Sequence, residues 1–472
     1  MKQPARTAGF GILTLILLIH CGQSTSPGRT DYNLTIQDGN NQSGYQNTLL
    51  PHPVVVRVTD EKARPLSDVE LEATVTAGGG HIENDSLVTD EQGWVEIAWR
   101  LGEKVTNKLS ISIKDEEDPI TCSATAQYLY MEPELLDDGW DVASLDTSKA
   151  EVRHMLTAVD HIRMGINTEI HSLLVIAKNR LVLETYFPGH NSNGDLIQFT
   201  RETPHEVQSA SKSFRSALIG IAIDKGFIQD ENEKLYDFFP EYSYLVDEQK
   251  DKITLDHVLT MSSGLDWDEW QYPYGDSRNT LSSMYANPAS QWAYYVLSRP
   301  NAYEPGTTFV YNTGASIMLN SIIMHAINMS FSNFVYQYYA ELTGSVRLPG
   351  VGYPLGGETT PRDMAKLGAI YLNDGKWHNT QIVSQSWVDK SIVQKFRFSS
   401  SEGYGYQWWM KKYTTGKATY DSFYASGNGG QYIIVIKQLD LVIVFTGGNF
   451  NSSEGMNQPF DIVRDYILPA FE

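Results

Sequence analysis

The chain has 472 residues, 41% of them hydrophobic and 11% aromatic. That length calls for two or three domains, and that apolar content excludes a disordered chain. A formal charge of -21 and a sequence pI of about 4.9 argue against nucleic acid or an anionic membrane surface as partner, because both repel an acidic surface.

The N-terminus carries Lys2 and Arg6, then the apolar run 10-FGILTLILLIHCGQS-24, then small polar residues. A basic start before an apolar stretch too short for a comfortable span is the pattern of a secretory signal. Its ending, Leu18-Ile19-His20-Cys21, resembles the lipobox of bacterial lipoproteins, with His20 standing where a small residue is usual. The resemblance implies a signal peptide over 1–21 and lipidation of Cys21. It implies an exported bacterial protein, in the periplasm or at the outer membrane or cell surface. Membrane contact is then through the lipid only; secretion without a lipid is the alternative. Residues 22–34 are rich in Ser, Thr and Gly and read as a tether.

From residue 52 the pattern changes. The stretches 53-PVVVRVTD-60, 69-VELEATVTA-77, 94-WVEIAWRL-101 and 108-KLSISIK-114 alternate apolar and polar residues. Turn signals at 63-ARPLSD-68, 78-GGG-80 and 90-DEQG-93 separate them. Short strands at this spacing predict a β-sandwich over 35–130. On 39-GNNQSGYQNTLLPHPVVVRVTDEKARPLSDVELEATVTAGGG-80 and 89-TDEQGWVEIAWRLG-102, the segment resembles the bacterial Ig-like domains of invasin- and intimin-type surface proteins. No ligand for it is indicated. Cys122 falls in its last strand pattern and reads as a lone buried thiol. The acidic stretch 131–141, which includes 132-EPELLDDGWD-141, reads as a linker.

The remainder, 142–472, reads differently. It opens with 170-IHSLLVIAKNRLVLETYF-187, a predicted hairpin turning at Asn179-Arg180. Helical runs follow at 213–225, 314–328 and 361–374. The segment 431-QYIIVIKQLDLVIVFTGG-448 predicts two buried strands turning near Leu439-Asp440. Strands at both ends with helices between predict an α+β domain, one antiparallel sheet covered by helices.

The chemistry concentrates at 209-SASK-212. Residues three apart on a helix share a face, so Lys212 can stand beside Ser209 Oγ. A serine hydroxyl needs a base to become a nucleophile, and a lysine whose pKa is lowered by burial can serve. A polar N-cap followed by a surface lysine is the bland reading of the same four residues. Tyr311 lies just before a small-residue helix start in 304-EPGTTFVYNTGASIMLNSII-323. A nearby ammonium would stabilise its phenolate; a buried aromatic with a capped hydroxyl is the alternative. In 424-YASGNGGQYIIVIK-437, Gly429 and Gly430 precede a strand, where backbone can approach a ligand and an N–H can face an oxyanion.

Together these elements resemble the serine β-lactamase-like family: class C β-lactamases, related esterases, D-aminopeptidases and nylon-oligomer hydrolases. The family's S-x-x-K matches 209-SASK-212, its Tyr element 311-YNT-313 and its K-T-G-like element 428-NGG-430. Two further family stretches stand at 254-TLDHVLTMSSGLDWDE-269 and 359-TTPRDMAKLGAIYLNDGKW-377. The resemblance implies acyl transfer to Ser209, with Lys212 and Tyr311 as the proton-transfer pair and either of them as the base. It implies an oxyanion hole from the N–H groups of Ser209 and Gln431, and neither metal nor organic cofactor. Thr313 stands where the family commonly has Asn or Ser. Asn428 stands where β-lactamases have the cation that recognises a carboxylate. The expected substrate is therefore a neutral ester or amide, small-molecule or peptide-like. The alternatives are a β-lactamase or D,D-peptidase, and a surface adhesion protein with an inactive hydrolase domain. His257 reads as a packed histidine, Trp408 and Trp409 as cleft or core residues, and Asp363 as a helix-start residue.

Overall fold

The computed structural model describes residues 32–46, 48–102, 104–127, 130, 132–147, 149–348 and 357–472. The signal sequence, Cys21 and most of the tether lie outside the described residues. The chain divides into two compact units, Met1–Tyr128 and Leu129–Glu472.

The first unit is all-β. One sheet pairs Tyr32–Asp38, Val54–Asp60 and Trp94–Ile97; the other orders Gln42–Tyr45, Ile120–Gln127, Thr106–Ile113 and Leu71–Ala77. The alternation works as expected. Val54, Val56 and Val58 from the first sheet join Leu109, Ile111, Cys122 and Ala124 from the second in one apolar cluster. Burial pushes the Cys122 thiol up to about 11. Two expectations shift. A strand begins at Tyr32, inside the stretch read as tether. The run 94–101 splits in two, because Trp99–Arg100 pairs with His81–Ile82 while Ala98 N–H donates to Asn84 Oδ1 at 2.7 Å.

The second unit is built on α1 (Ala150–Arg163), β1 (Ile170–Ala177), β2 (Arg180–Tyr186), α2 (Ser211–Asp224), α3 (Thr313–Ala326), α4 (Pro361–Leu372), β3 (Trp409–Thr414), β4 (Thr419–Gly427), β5 (Gln431–Ile436), β6 (Leu441–Gly447) and α5 (Ser453–Ile462). The nine-stranded sheet runs β2-β1-β6-β5-β4-β3. Asp141–Val142 lies outside β2, and Glu402–Tyr404 and then Phe396–Arg397 lie outside β3. Every pairing in it is antiparallel except Asp141–Val142 with β2, so the sheet is mixed at that edge. The β1–β2 turn sits one residue earlier than expected, at Lys178-Asn179, both at positive φ.

The strand period sorts side chains between two cores. Leu174, Ile433, Val435, Val442 and Val444 pack with α2, α3 and α4. Leu173, Ile434, Ile436, Ile443 and Phe445 pack with α1 and α5. Burying each such side chain contributes roughly 1.5–3 kcal/mol, which is why β5 and β6 read as continuous apolar runs. Gly368 of α4 admits this packing: a Cβ there would stand 2.5 Å from Val442 Cγ1.

The stretch read as a linker is anchored to the second unit. Trp140 is buried and its Nε1 donates to Arg362 O at 3.2 Å. Arg362 pairs with Asp138 at 2.8 Å and with buried Glu184 at 2.5 Å. Hydrophobic burial and paired charge hold these residues, which their acidic composition alone does not reveal.

Candidate active site

Ser209 lies in the short turn Gln208–Ala210 that leads into α2. Gln208 has φ +49°, a left-handed conformation that costs free energy outside glycine. Its carbonyl is tied down by Ser211 Oγ at 2.7 Å, and Arg215 Nη1 donates to Ser211 Oγ at 3.1 Å. The strained residue therefore presents the serine from a braced turn.

Lys212 stands one helical turn on, as the i, i+3 spacing requires, and its Nζ donates to Ser209 Oγ at 2.7 Å. Its side chain is buried. Burial draws its pKa down to about 7; Glu269 pulls it up and Arg215 pushes it down. Tyr311 completes the group. Lys212 Nζ lies 4.8 Å from its ring centroid, and its hydroxyl hydrogen-bonds the Ser209 side chain. Burial raises the Tyr311 phenol well above its ordinary value, Glu269 raises it further, and the Ser209 hydroxyl opposes this. Burial likewise lowers Arg215 to about 10.

A cavity of about 1080 Å³ opens beside these groups, lined by Ser209, Lys212, Arg215, Thr313, Asn428 and Arg347 among others. Thr313 is turned aside: its N–H and Oγ1 donate to the two oxygens of the buried Glu269 carboxylate at 3.0 and 2.7 Å. Glu269 also accepts from Trp267 Nε1 at 2.8 Å. Asn428 shares two hydrogen bonds with Asn451, which leaves a neutral amide pair at the cavity wall.

Gln431, Gly429 and Gly430 lie at the β4–β5 hairpin. Gln431 pairs with Gly427 inside the β4–β5 ladder, and its buried side chain bonds Gly447 on both sides and donates to Asn428 O. Gly429 and Gly430, at φ +95° and +98°, form the hairpin that joins the strands. A close approach of protein backbone occurs at Gly427, where a Cβ would meet Val207 O at 2.3 Å.

His257 is an N-terminal capping residue, accepting from Thr254 N–H at 3.2 Å. Trp408 is fully buried, whereas Trp409 lies near Tyr311. Asp363 stands in the first turn of α4, pairs with Lys366 at 3.0 Å and accepts from the N–H groups of Val346 and Arg347 at the cavity wall. Sequence reading missed Glu269 and Arg215. The signals were the acid that ends 254–269 and a second cation three residues after Lys212, in a helix with no acid before Asp224.

Residues 171–344 match the family model described as Beta-lactamase. A 6-aminohexanoate-dimer hydrolase of Paenarthrobacter ureafaciens is 24% identical over 302 residues, covering 58% of this chain and 71% of that protein. A structure titled a putative 6-aminohexanoate-dimer hydrolase from Bacillus anthracis superposes with a TM-score of 0.54 at 19% identity, over 72% of this chain and 91% of that one. The hydrolase EstCE1, titled as having promiscuous acyltransferase activity, superposes at 0.53 with 14% identity, over 67% and 97%. The second unit thus has the β-lactamase-like α/β fold.

Proposed function

We propose that the second unit cleaves esters or amides through an acyl-enzyme at Ser209. The observation that carries this reading is the 2.7 Å contact between Lys212 Nζ and Ser209 Oγ, in surroundings that bring the lysine to about 7. Lys212 in its neutral form takes the Ser209 proton as Oγ bonds the acyl carbon. The N–H groups of Ser209 and Gln431 receive the oxyanion, with Gln431 opening β5 directly after the Gly429-Gly430 turn. Tyr311, held protonated at neutral pH, gives its proton to the departing oxygen or nitrogen and regains one from the Lys212 ammonium. Water then attacks the acyl group, the acid leaves and Ser209 recovers its proton.

The neutral Asn428–Asn451 pair favours a neutral ester or amide, small-molecule or peptide-like. The relative named for hydrolysis of a 6-aminohexanoate dimer and the fold neighbour titled a hydrolase support the reaction class. A second reading, β-lactam or D,D-peptide hydrolysis, is favoured by Arg215 and Arg347, two guanidinium groups on the cavity wall that suit a carboxylate. Fluorophosphonate treatment followed by intact-protein mass spectrometry tests the nucleophile. One adduct on the wild type and none on Ser209→Ala supports the reading; no adduct on either favours an inactive adhesion protein. Among active outcomes, p-nitrophenyl esters, nitrocefin and D-Ala peptides separate the substrate classes.

The chain is further read as an exported lipoprotein anchored at Cys21, with the N-terminal all-β unit an Ig-like spacer. Its basic start, apolar run and lipobox-like ending support export, and the two sheets sharing one core support the spacer. Retention in the membrane fraction and release by Cys21→Ser would test the anchor.

A further inference from the structure

Tyr311 is flanked by two indoles. Trp270 stacks on it with centroids 5.1 Å apart and planes 17° from parallel; Trp409 lies 5.9 Å away at 30°. From Trp409 the array continues to Phe309 at 6.1 Å and Phe398 at 5.9 Å, and these two touch at 4.8 Å. Trp270 is 64% exposed and Phe398 44%. The array is thus an aromatic surface that reaches Ser209 through Tyr311.

Single exposed hydrophobics are ordinary, but a contiguous aromatic array beside a reactive group is not. Stacked rings present flat π faces, and a further planar ring gains offset-stacked or edge contacts that a saturated ring of equal size lacks. Tyr311 is also the group that hands a proton to the departing atom, so whatever departs sits against it.

We infer that Trp270, Trp409, Phe309 and Phe398 form the leaving-group subsite and select an alcohol or amine bearing an aryl ring. The assignment of this side to the leaving group rests on the hydrolase reading above. The acyl group then extends into the cavity.

The test uses benzyl acetate and cyclohexylmethyl acetate, which share the acyl group and have alcohols of similar acidity and size. An aromatic pair contributes about 0.5–1.5 kcal/mol beyond area, so kcat/KM should favour the benzyl ester by about 2- to 10-fold. Trp270→Ala and Phe398→Ala should bring the ratio towards one, and Trp270→Phe should retain it. Phe398→Ala is informative because Phe398 has no ring contact with Tyr311. Equal loss on both esters, or no wild-type preference, overturns the subsite. Binding of benzyl alcohol and cyclohexylmethanol to Ser209→Ala, followed by tryptophan fluorescence, reads the array without turnover. Preference for the aromatic alcohol with no hydrolysis of either ester would overturn the hydrolase reading and keep the aryl site; no preference would overturn the site itself.

Discussion

Lys212 Nζ lies 2.7 Å from Ser209 Oγ, at the N-terminal end of a helix whose residues from Ser211 to Ala222 are all buried. The short distance and the burial act together: burial destabilises the ammonium, and the serine hydroxyl gives the neutral amine a proton to take. With Lys212 near 7, kcat/KM should rise with pH through about 7, since the deprotonated form is the active base. Lys212→Ala should lower kcat/KM by about 10²–10⁴-fold. A flat profile from pH 5.5 to 8.5, with the chemical step limiting, would count against Lys212 as base.

Glu269 sits behind this pair and raises the pKa of both Lys212 and Tyr311. Glu269→Gln keeps the shape and removes the charge. The acidic limb of the pH profile should therefore move to lower pH, because the lysine loses the anion that favoured its ammonium. Circular dichroism checks that the fold is kept, and a limb that stays in place or moves upward contradicts the assignment.

Gly427 lets β4 pass against the turn that precedes the nucleophile, where a Cβ would be 2.3 Å from Val207 O. The obstruction is backbone, so it cannot rotate away. Gly427→Ala should displace either the strand or the turn and slow fluorophosphonate labelling of Ser209 by at least about tenfold, since misplacement of about 1 Å can cost 10²-fold. Labelling at the wild-type rate would show that the approach does not position the serine.

Two buried histidines make the second unit sensitive to acid. His171 Nδ1 and His205 Nε2 are 2.8 Å apart; His171 Nε2 faces Glu169 at 3.1 Å, with Phe199 stacked on the ring and His190 bound to the same carboxylate. Burial lowers His205 to about 4, against 6.5 for a free imidazole. The unfolded chain then binds a proton that the native state refuses. This contribution is fully present above pH 6.5 and is lost as pH falls towards 4, amounting to about 3 kcal/mol at the limit. Urea midpoints of the full chain at pH 7.5 and 5 should fall with acid, and His205→Asn should flatten part of that dependence.

The elements that the sequence determined are those whose signal is local. Period-2 alternation placed Val54, Val56 and Val58 in a core, the apolar runs placed β5 and β6, and the three-residue spacing placed Lys212 on the face of Ser209. Each depends on backbone geometry repeating over a few residues. Tertiary structure decided what depends on distant partners. Glu269 acquires its role from Thr313, 44 positions away, and Trp140 and Asp138 join the second unit through Arg362, more than 220 positions away. The β4–β5 hairpin likewise ties the buried Gln431 side chain to Gly447, a partner 16 positions away that its own neighbours do not reveal. A residue's neighbours along the chain specify its dihedral preferences, whereas its dielectric surroundings, and hence the pKa of Lys212, are set by side chains that only folding brings together.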